Sequence, residues 1–539
     1  MRAEARRGLL RLLLSCLALV TLAAGATVDV PTATDDAELA TGRAIYLHGR
    51  RHDGTPVTAR RAGGFVLAGA EAACVNCHRR SAMGGMEGRS YIPPITRDAL
   101  LATMPVGKGP SATGRGRPGY TQSSLLRALH AGIDPGGRPL DYLMPRYELD
   151  AHEIAALMHY LGSLPKAPRN EEGALHFATV IAPGVPEPDK RAMVEVLQAC
   201  FAEQNAGPQA ERGRHKLAAE MSVRQPRAWK LHVWDLRGKE QDWAAQLASH
   251  AQQQPVFALV GGLGAAAWSP VHEFCESAQV PCVFPHVEVP VDGPPASYPL
   301  YLSKGVLLDS ALIAQHFARE SGPRRVIQVL RESDPAARAA AQALQRSLDP
   351  QVAHGIVPFT ERSPNLSRLL AESSAQDAIV LWLRPADLQA LAGEAPPRAQ
   401  VFVSGTLAGQ DALPLPPAWL ARSLMAYPFE LPQQREARMK GLHAWLHGKG
   451  IASGNERIQS DAYLACMSVR NAVRDAESHL GGDYVVEKLE VNLERWPAVG
   501  VYPRLALGIG QRFASKTGYV VRFDAASGGL APVQERSAP

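Results

Sequence analysis

The sequence predicts a multidomain chain: an all-α domain over residues 35–165, then a two-lobed α/β domain over residues 175–525. Three observations predict it. The first part shows helical spacing of apolar residues separated by Gly- and Pro-rich loops. After the breaker Leu164-Pro165-Lys166-Ala167-Pro168, short β-branched runs alternate with amphipathic stretches. The length of 539 residues also exceeds what one core ordinarily supports, so two or three domains are expected.

Residues 1–26 read as a cleaved signal peptide. Arg2, Arg6, Arg7 and Arg11 precede or interrupt an apolar run that ends at Ala24-Gly25-Ala26. Leu14-Ser15-Cys16 offers a lipoprotein alternative, but a longer apolar stretch follows it than precedes it. Thr34-Asp35-Asp36 then opens a helix running to about Gly49, with Leu39, Ala40, Ala44, Ile45 and Leu47 available for packing. A Gly-, Arg- and Thr-rich insertion covers about Arg50 to Ala70.

Cys74-Val75-Asn76-Cys77-His78 follows, and C-x-x-C-H reads as covalent attachment of one c-type haem. Two thiols one helical turn apart can both bond one porphyrin, and the next residue turns its imidazole to the iron. A redox dithiol would want the motif opening a helix after a strand, and a zinc site a second ligand pair at suitable spacing; neither context is present. Further helices are expected over Tyr120 to Ala131, stopped by Gly132, and over Asp150 to Leu164, with Ile154, Leu157, Met158 and Leu161 as its stripe. Between them lies Asp134-Pro135-Gly136-Gly137 and then Met144-Pro145.

With these elements in hand, residues 35–165 resemble the class I c-type cytochromes. The matching features are Gly42 and Tyr46 in the first helix, Cys74, Cys77 and His78, the loop at Pro93-Pro94, Met144-Pro145, and Tyr160-Leu161 in the last helix. The resemblance implies that the first and last helices cross, that His78 is the proximal iron ligand and that Met144 is the distal one. A soft thioether favours Fe(II), which suits electron transfer. Met104, also followed by Pro, is the rival; Met144 is preferred because a turn precedes it and a helix follows at the family's distance. Met83 and Met86 lie too close behind His78 to reach the far face of the porphyrin. His130, on a leucine-rich helix, reads as a surface or packed histidine. The insertion before the motif departs from the family.

In the second domain, strands are expected at His176–Ile181, Trp229–Trp234, Val256–Val260, Pro281–Phe284, Val326–Leu330, Gly355–Phe359, Ala378–Leu383 and Gln400–Val403. Helices are expected at Arg191–Asn205, Asp242–Gln252, Ser269–Ala278, Leu307–Arg319, Ala336–Leu348 and Pro364–Ser373. So long an alternation implies parallel sheets covered on both faces, in two lobes, with ligands beyond the carboxyl ends of strands. Residues 175 to about 525 resemble the type I periplasmic binding proteins for branched-chain amino acids and amides, the substrate-binding components of ABC transporters. The resemblance rests on Val256 to Gly264, Val280 to Pro285, Arg325 to Leu330 and the late helix at Asp461-Ala462-Tyr463. Most of the hydroxyls those proteins use for an amino acid are missing from Gly264 to Ser269 and from Pro285 to Val289. Ser269, His286, Glu288 and Ser404-Gly405-Thr406 remain as candidate cleft contacts.

Removing residues 1–26, with four Arg and one Glu, lowers the formal charge of +5 to about +2, too weak an excess to suggest nucleic acid. No later stretch reaches the roughly 18 apolar residues of a membrane span. Four cysteines remain beyond Cys16 and the motif: Cys200, Cys275, Cys282 and Cys466. Three pairings are possible in an oxidising compartment, and closeness in sequence favours Cys275 with Cys282, leaving Cys200 for Cys466; the alternative is a set of small buried thiols. The functional expectation is a periplasmic mono-haem electron carrier, not an enzyme, with a redox partner protein and an α/β domain for ligand or partner recognition. The alternative is a solute-binding receptor of ABC-transporter type with a haem redox-sensing domain.

Overall fold

The structure is a computed structural model that describes residues 33–103, 116–164, 173–215, 227–264, 268–293, 296–319, 322–360, 364–409, 413–476, 479–496, 499–524 and 529–533. The expected signal peptide, Met104 and most of the expected linker at 166–174 lie outside the described residues. The chain divides into two units, Met1–Leu164 and Pro165–Pro539.

Unit 1 contains, in order, helix α1 (Ala33–His48), strands β1 (Thr58–Arg60) and β2 (Val66–Ala68), the one-turn helix α2 (Val75–His78), strands β3 (Gly85–Glu87) and β4 (Ser90–Ile92), helices α3 (Arg97–Leu101) and α4 (Gln122–Ala131), strand β5 (Arg146–Tyr147) and helix α5 (Ala151–Ser163). Helices α1 and α5 cross closely because Gly42 has no side chain: a Cβ there would stand 2.0 Å from the carbonyl oxygen of Ala156. One turn on, the Tyr46 and Tyr160 rings pack with centroids 5.4 Å apart. Asp150 caps α5 in a reciprocal capping box with Glu153, and Thr121 caps α4 in the same way with Ser124, each cap contributing about 1 kcal/mol. Gly132, at φ 70°, ends α4 in the left-handed conformation that a side chain disfavours.

The all-α expectation for this unit is corrected. The insertion before the motif forms an antiparallel hairpin, β1 with β2, and β1 pairs on its other side with β5, Ala59 opposite Tyr147 and Arg60 opposite Arg146. Val57, Thr58 and Val66 favour extended backbone, and Gly63 and Gly64, at φ 85° and 82°, allow the tight return between the strands. Helical periodicity elsewhere in the unit does not reveal so short a sheet. A second hairpin, β3 with β4, follows the motif.

Unit 2 begins with β6 (Leu175–Ile181), α6 (Glu187–His215), β7 (Trp229–Asp235), α7 (Trp243–Gln253), β8 (Ala258–Val260), β9 (Leu263–Gly264), α8 (Ser269–Ser277), β10 (Cys282–Val283), β11 (His286–Val287) and β12 (Pro299–Ser303). It continues with α9 (Val306–Arg319), β13 (Arg325–Leu330), α10 (Pro335–Ser347), β14 (Ala353–Pro358), α11 (Pro364–Glu372), β15 (Asp377–Trp382), α12 (Pro385–Ala390), β16 (Gln400–Ser404), α13 (Gly405–Ala408), α14 (Pro417–Leu420) and β17 (Ser423–Tyr427). Helices α15 (Pro432–Gly448), α16 (Glu456–Asp475) and α17 (Gly482–Asn492) precede β18 (Phe513–Ser515), β19 (Tyr519–Phe523) and β20 (Leu530–Pro532).

Two sheets result, one per lobe. The first has the order β11-β9-β6-β8-β10-β12-β18, with β7 also paired to β6; the second has the order β14-β13-β15-β16-β17-β19-β20. Pairing is parallel throughout the first sheet and from β14 to β17 in the second, where β19 and β20 close the edge antiparallel. Central strands such as Asp377–Trp382 are buried along their whole length, as a sheet covered on both faces requires. The chain passes between lobes after Ser303, after Tyr427 and between Ser515 and Tyr519. Disulfides join Cys200 to Cys466, tying α6 to α16, and Cys275 to Cys282 at the α8–β10 turn.

Candidate functional site

The motif of unit 1 sits on one turn of helix between two constrained loops. Cys74 N-caps α2, and Arg79 leaves it at φ 65°, held by a bond from Tyr46 Oη to the Arg79 carbonyl at 2.6 Å. Cys74 and Cys77 are free thiols, whereas the other described cysteines are paired. Burial pushes the Cys74 thiol up to about 12, and burial together with the nearby Glu87 carboxylate raises Cys77 against the opposing pull of Arg61.

His78 is buried, and its Nδ1 lies 3.1 Å from the carbonyl oxygen of Pro93. A carbonyl can only accept, so Nδ1 carries the proton and Nε2 keeps its lone pair. Burial pushes this imidazole down to about 4, so near neutral pH it is the uncharged form that ligates a metal. Such a backbone bond on the far nitrogen is the usual means of fixing a ligating histidine's tautomer and ring direction. Among the described residues no group of three or more His, Cys, Asp or Glu side chains is placed to hold a metal ion. Cys74, Cys77 and His78 are therefore not converged on a point, as a zinc site would need.

Met144 packs, half-buried, against the same core as Cys74, Tyr46 and Leu157. Its loop is set by an Asp141 turn, with Leu143 N 2.9 Å from the Asp141 carboxylate and Met144 N 3.1 Å from the Asp141 carbonyl. The Arg146 guanidinium bonds the Met144 carbonyl, and β5 immediately beyond pairs with β1. The insertion thus buttresses the methionine loop. The residues present fit a covalently held haem: two unpaired thiols, a neutral imidazole with an oriented lone pair, and a thioether loop in one core. His130 is tied by Nε2 to the Leu149 carbonyl at 2.6 Å and is a structural residue; Met86 is exposed.

The second candidate site lies in unit 2, between the lobes. A small cavity of about 20 Å³ is lined by His286, Ser303, Thr406, Phe429, Arg457, Asp461 and Tyr502 among others. Helix α16 places Arg457 and Asp461 on one face, four residues apart. Asp461 Oδ2 lies 2.6 Å from His286 Nδ1 and 3.4 Å from the Tyr502 hydroxyl, while its Oδ1 is buried without a hydrogen-bond partner. Burial first, and then the Asp461 charge, raise the Tyr502 hydroxyl well above its ordinary value. Arg457 donates to the Thr406 carbonyl at 3.1 Å, stacks over Phe429 at 4.9 Å, and has a buried, unpartnered Nε.

A latch spans the cleft. Arg384, just after β15 in the second lobe, grips Glu288, just after β11 in the first, through two bonds of 2.6 and 2.7 Å, and reaches Asp334 with Nε at 2.7 Å. Burial works against the Arg384 charge, but its bonds to the two carboxylates outweigh this and raise it further.

Of the residues read from the sequence as cleft contacts, His286 and Thr406 line the cavity and Glu288 forms the latch. The hydroxyls of Ser404 and Thr406 do not face a ligand. Both donate to the buried carboxylate of Asp309 on α9, as does the Thr406 N–H at 3.0 Å. Ser269 opens α8 and is not among the cavity's lining, and residues 265–267 lie outside the described residues. Arg384, Arg457, Asp309 and Tyr502 carry no sequence signal as binding residues. The exception with a trace is the Arg457/Asp461 pair, opposite charges four apart on a helix otherwise rich in buried Ile458, Ala462 and Ala465.

Among the described residues no helix is long and apolar enough to cross a membrane. No protein-family model matches the sequence, and no curated protein matches it either. Several solved structures are similar to this chain. A leucine-binding protein from Thermotoga maritima is 15% identical, covers 68% of this chain and 99% of its own, and superposes with a TM-score of 0.47. A branched-chain amino acid ABC transporter protein from Thermus thermophilus with bound valine is 14% identical, covers 68% and 97%, and has a TM-score of 0.46. A fatty acid ABC transporter substrate-binding protein from Thermomonospora curvata is 14% identical, covers 70% and 95%, and has a TM-score of 0.46. The two-lobed α/β architecture of unit 2 stands on its own strand orders.

Proposed function

We propose that the chain is an exported mono-haem c-type redox protein whose α/β unit recognises a small polar molecule or a partner. The observation that carries the reading is the geometry at His78: a neutral imidazole, its Nδ1 proton given to the Pro93 carbonyl, one residue after two free thiols. Cys74 and Cys77 would form the thioethers, and His78, through Nε2, and Met144 would ligate the iron. A haem held there supplies one-electron Fe(III)/Fe(II) exchange. The chain's part is to orient the imidazole through Pro93, to keep the pocket dry with Tyr46, Leu157 and Tyr160, and to brace the Met144 loop with β1 and β5. A haem ligated by side chains of this chain would suit electron transfer.

A specific observation favours the receptor version of this reading. Asp461 Oδ1 and Arg457 Nε, an acceptor and a donor of opposite charge, are buried without partners in one cavity between the lobes. Unpaired buried polar atoms are costly, each about 1–3 kcal/mol, and a polar solute entering between the lobes would satisfy both.

The test is produced in a host able to mature c-type cytochromes. The intact mass should exceed that of the processed chain by one haem, and Cys74→Ser with Cys77→Ser should abolish the increment; wild-type protein without it would refute the haem reading. A thermal-shift screen of amino acids, amides, short alcohols and carboxylates then separates the versions, because a ligand of the folded state raises the melting temperature by linkage. A stabilising ligand whose effect disappears in Asp461→Asn supports the receptor; none among them supports partner docking.

A further inference from the structure

The return between β1 and β2, part of the insertion that departs from the class I cytochromes, carries Arg61 to the motif. Its Nη2 lies 3.9 Å from Cys77 Sγ, and its Nε is buried with no hydrogen-bond partner. Among the described residues no carboxylate lies within ion-pair distance of it, although Arg60 next to it has Glu148. A guanidinium with a desolvated, unused N–H is expensive unless something electron-rich faces it. From the other side, the Glu87 carboxylate on β3 lies 3.9 Å from the same sulfur.

These two contacts have different fates when Cys77 becomes a thioether. The S–H proton that Glu87 accepts is gone, because it has moved to the vinyl carbon as the C–S bond forms. The sulfur lone pairs that Arg61 addresses remain. The guanidinium thus stays at the thioether edge with one N–H still free to point at the ring or its substituents.

We propose that Arg61 is a positioning residue for the haem: its charge, held at the Cys77 thioether edge, favours Fe(II) and raises the reduction potential, with Glu87 opposing it. The inference rests on the haem reading above. A cation beside the porphyrin disfavours the extra positive charge of the ferric state, and the part-buried setting limits screening by solvent.

The experiment is a spectroelectrochemical titration of the full-length, haem-loaded protein. Arg61→Gln and Arg61→Met should lower the midpoint by three- to thirty-fold in the Fe(III)/Fe(II) equilibrium constant, about 30–90 mV at about 59 mV per tenfold. Arg61→Lys, which keeps the charge, should restore most of the shift, and Glu87→Gln should move the midpoint upward. Neutral variants with unchanged optical spectra and an unchanged midpoint overturn the proposal. Should neither neutral variant load haem, the Glu87→Gln midpoint decides: no upward shift counts against it. Wild-type protein that attaches no haem would instead refute the reading beneath it.

Discussion

Asp309 and Gly42 show how single residues hold the two units. Burial pushes the Asp309 carboxyl up to about 7, in spite of the bonds it receives from Ser404 and Thr406. Its ordinary value is 3.8, so the folded state holds this proton more tightly than the unfolded chain does. The stabilisation is complete below about pH 3.8 and is lost as pH rises to about 7. Unfolding titrations of wild type and Asp309→Asn should therefore show the wild type losing ground to the variant by a few kcal/mol between those limits; parallel curves would count against a buried protonated carboxyl. At Gly42 two effects oppose each other. Helix propensity alone makes Gly42→Ala stabilising by about 1 kcal/mol. The new Cβ, however, would stand 2.0 Å from a backbone oxygen of α5, which cannot turn aside as a side chain can. We expect the clash to win, with a loss of about 1–3 kcal/mol or more in denaturant unfolding of unit 1; a more stable variant would mean the helices do not cross there.

Among elements, the cleft latch joins two strand ends that are distant in sequence, β11 through Glu288 and β15 through Arg384. Removing Arg384 leaves the carboxylates of Glu288 and Asp334 without their shared cation, so Arg384→Ala should loosen the lobes. Hydrogen exchange should then be at least tenfold faster at amides around Glu288 and Thr406, and raised ionic strength should produce part of that change in the wild type; unchanged exchange would show that the cleft is closed by packing alone. The same strand ends mark where sequence reading succeeds and stops. The β–α alternation from His176 to Val403 is legible because long helices carry a 3.6-residue period and buried strands are short, β-branched apolar runs between breakers. Two-residue strands such as His286–Val287, and the hairpin built on Thr58–Arg60, are not, since tertiary pairing rather than local pattern creates them. The motif was legible from five consecutive residues, but the Pro93 carbonyl that orients the buried His78 imidazole was not, since it comes from fifteen residues further on. The cleft charges were not legible, because Arg384 meets Glu288, and Asp461 meets His286, only through folding that joins residues far apart in sequence.

At the scale of the whole molecule, the chain joins two units whose stabilities rest on different devices. Unit 1 is held by the α1–α5 crossing and has Cys74 and Cys77 as free thiols, whereas unit 2 has its own disulfides. The Cys200–Cys466 bond closes a loop of 266 residues and ties the late helix α16 back to α6. Replacing both by Ala should lower the stability of unit 2 by about 2–5 kcal/mol while leaving the unfolding of unit 1, followed by hydrogen exchange in α1 and α5, unmoved. A shift of both transitions together would show that the units unfold as one. The central claim, that unit 1 holds one covalent haem between His78 and Met144, is tested most directly by the ferric optical spectrum of the matured protein beside that of Met144→Ala. The account predicts a methionine-to-iron band in the wild type, its loss in the variant, and haem that stays with both chains through denaturation. A haem-loaded Met144→Ala with the wild-type spectrum, or haem that leaves on denaturation, would contradict it.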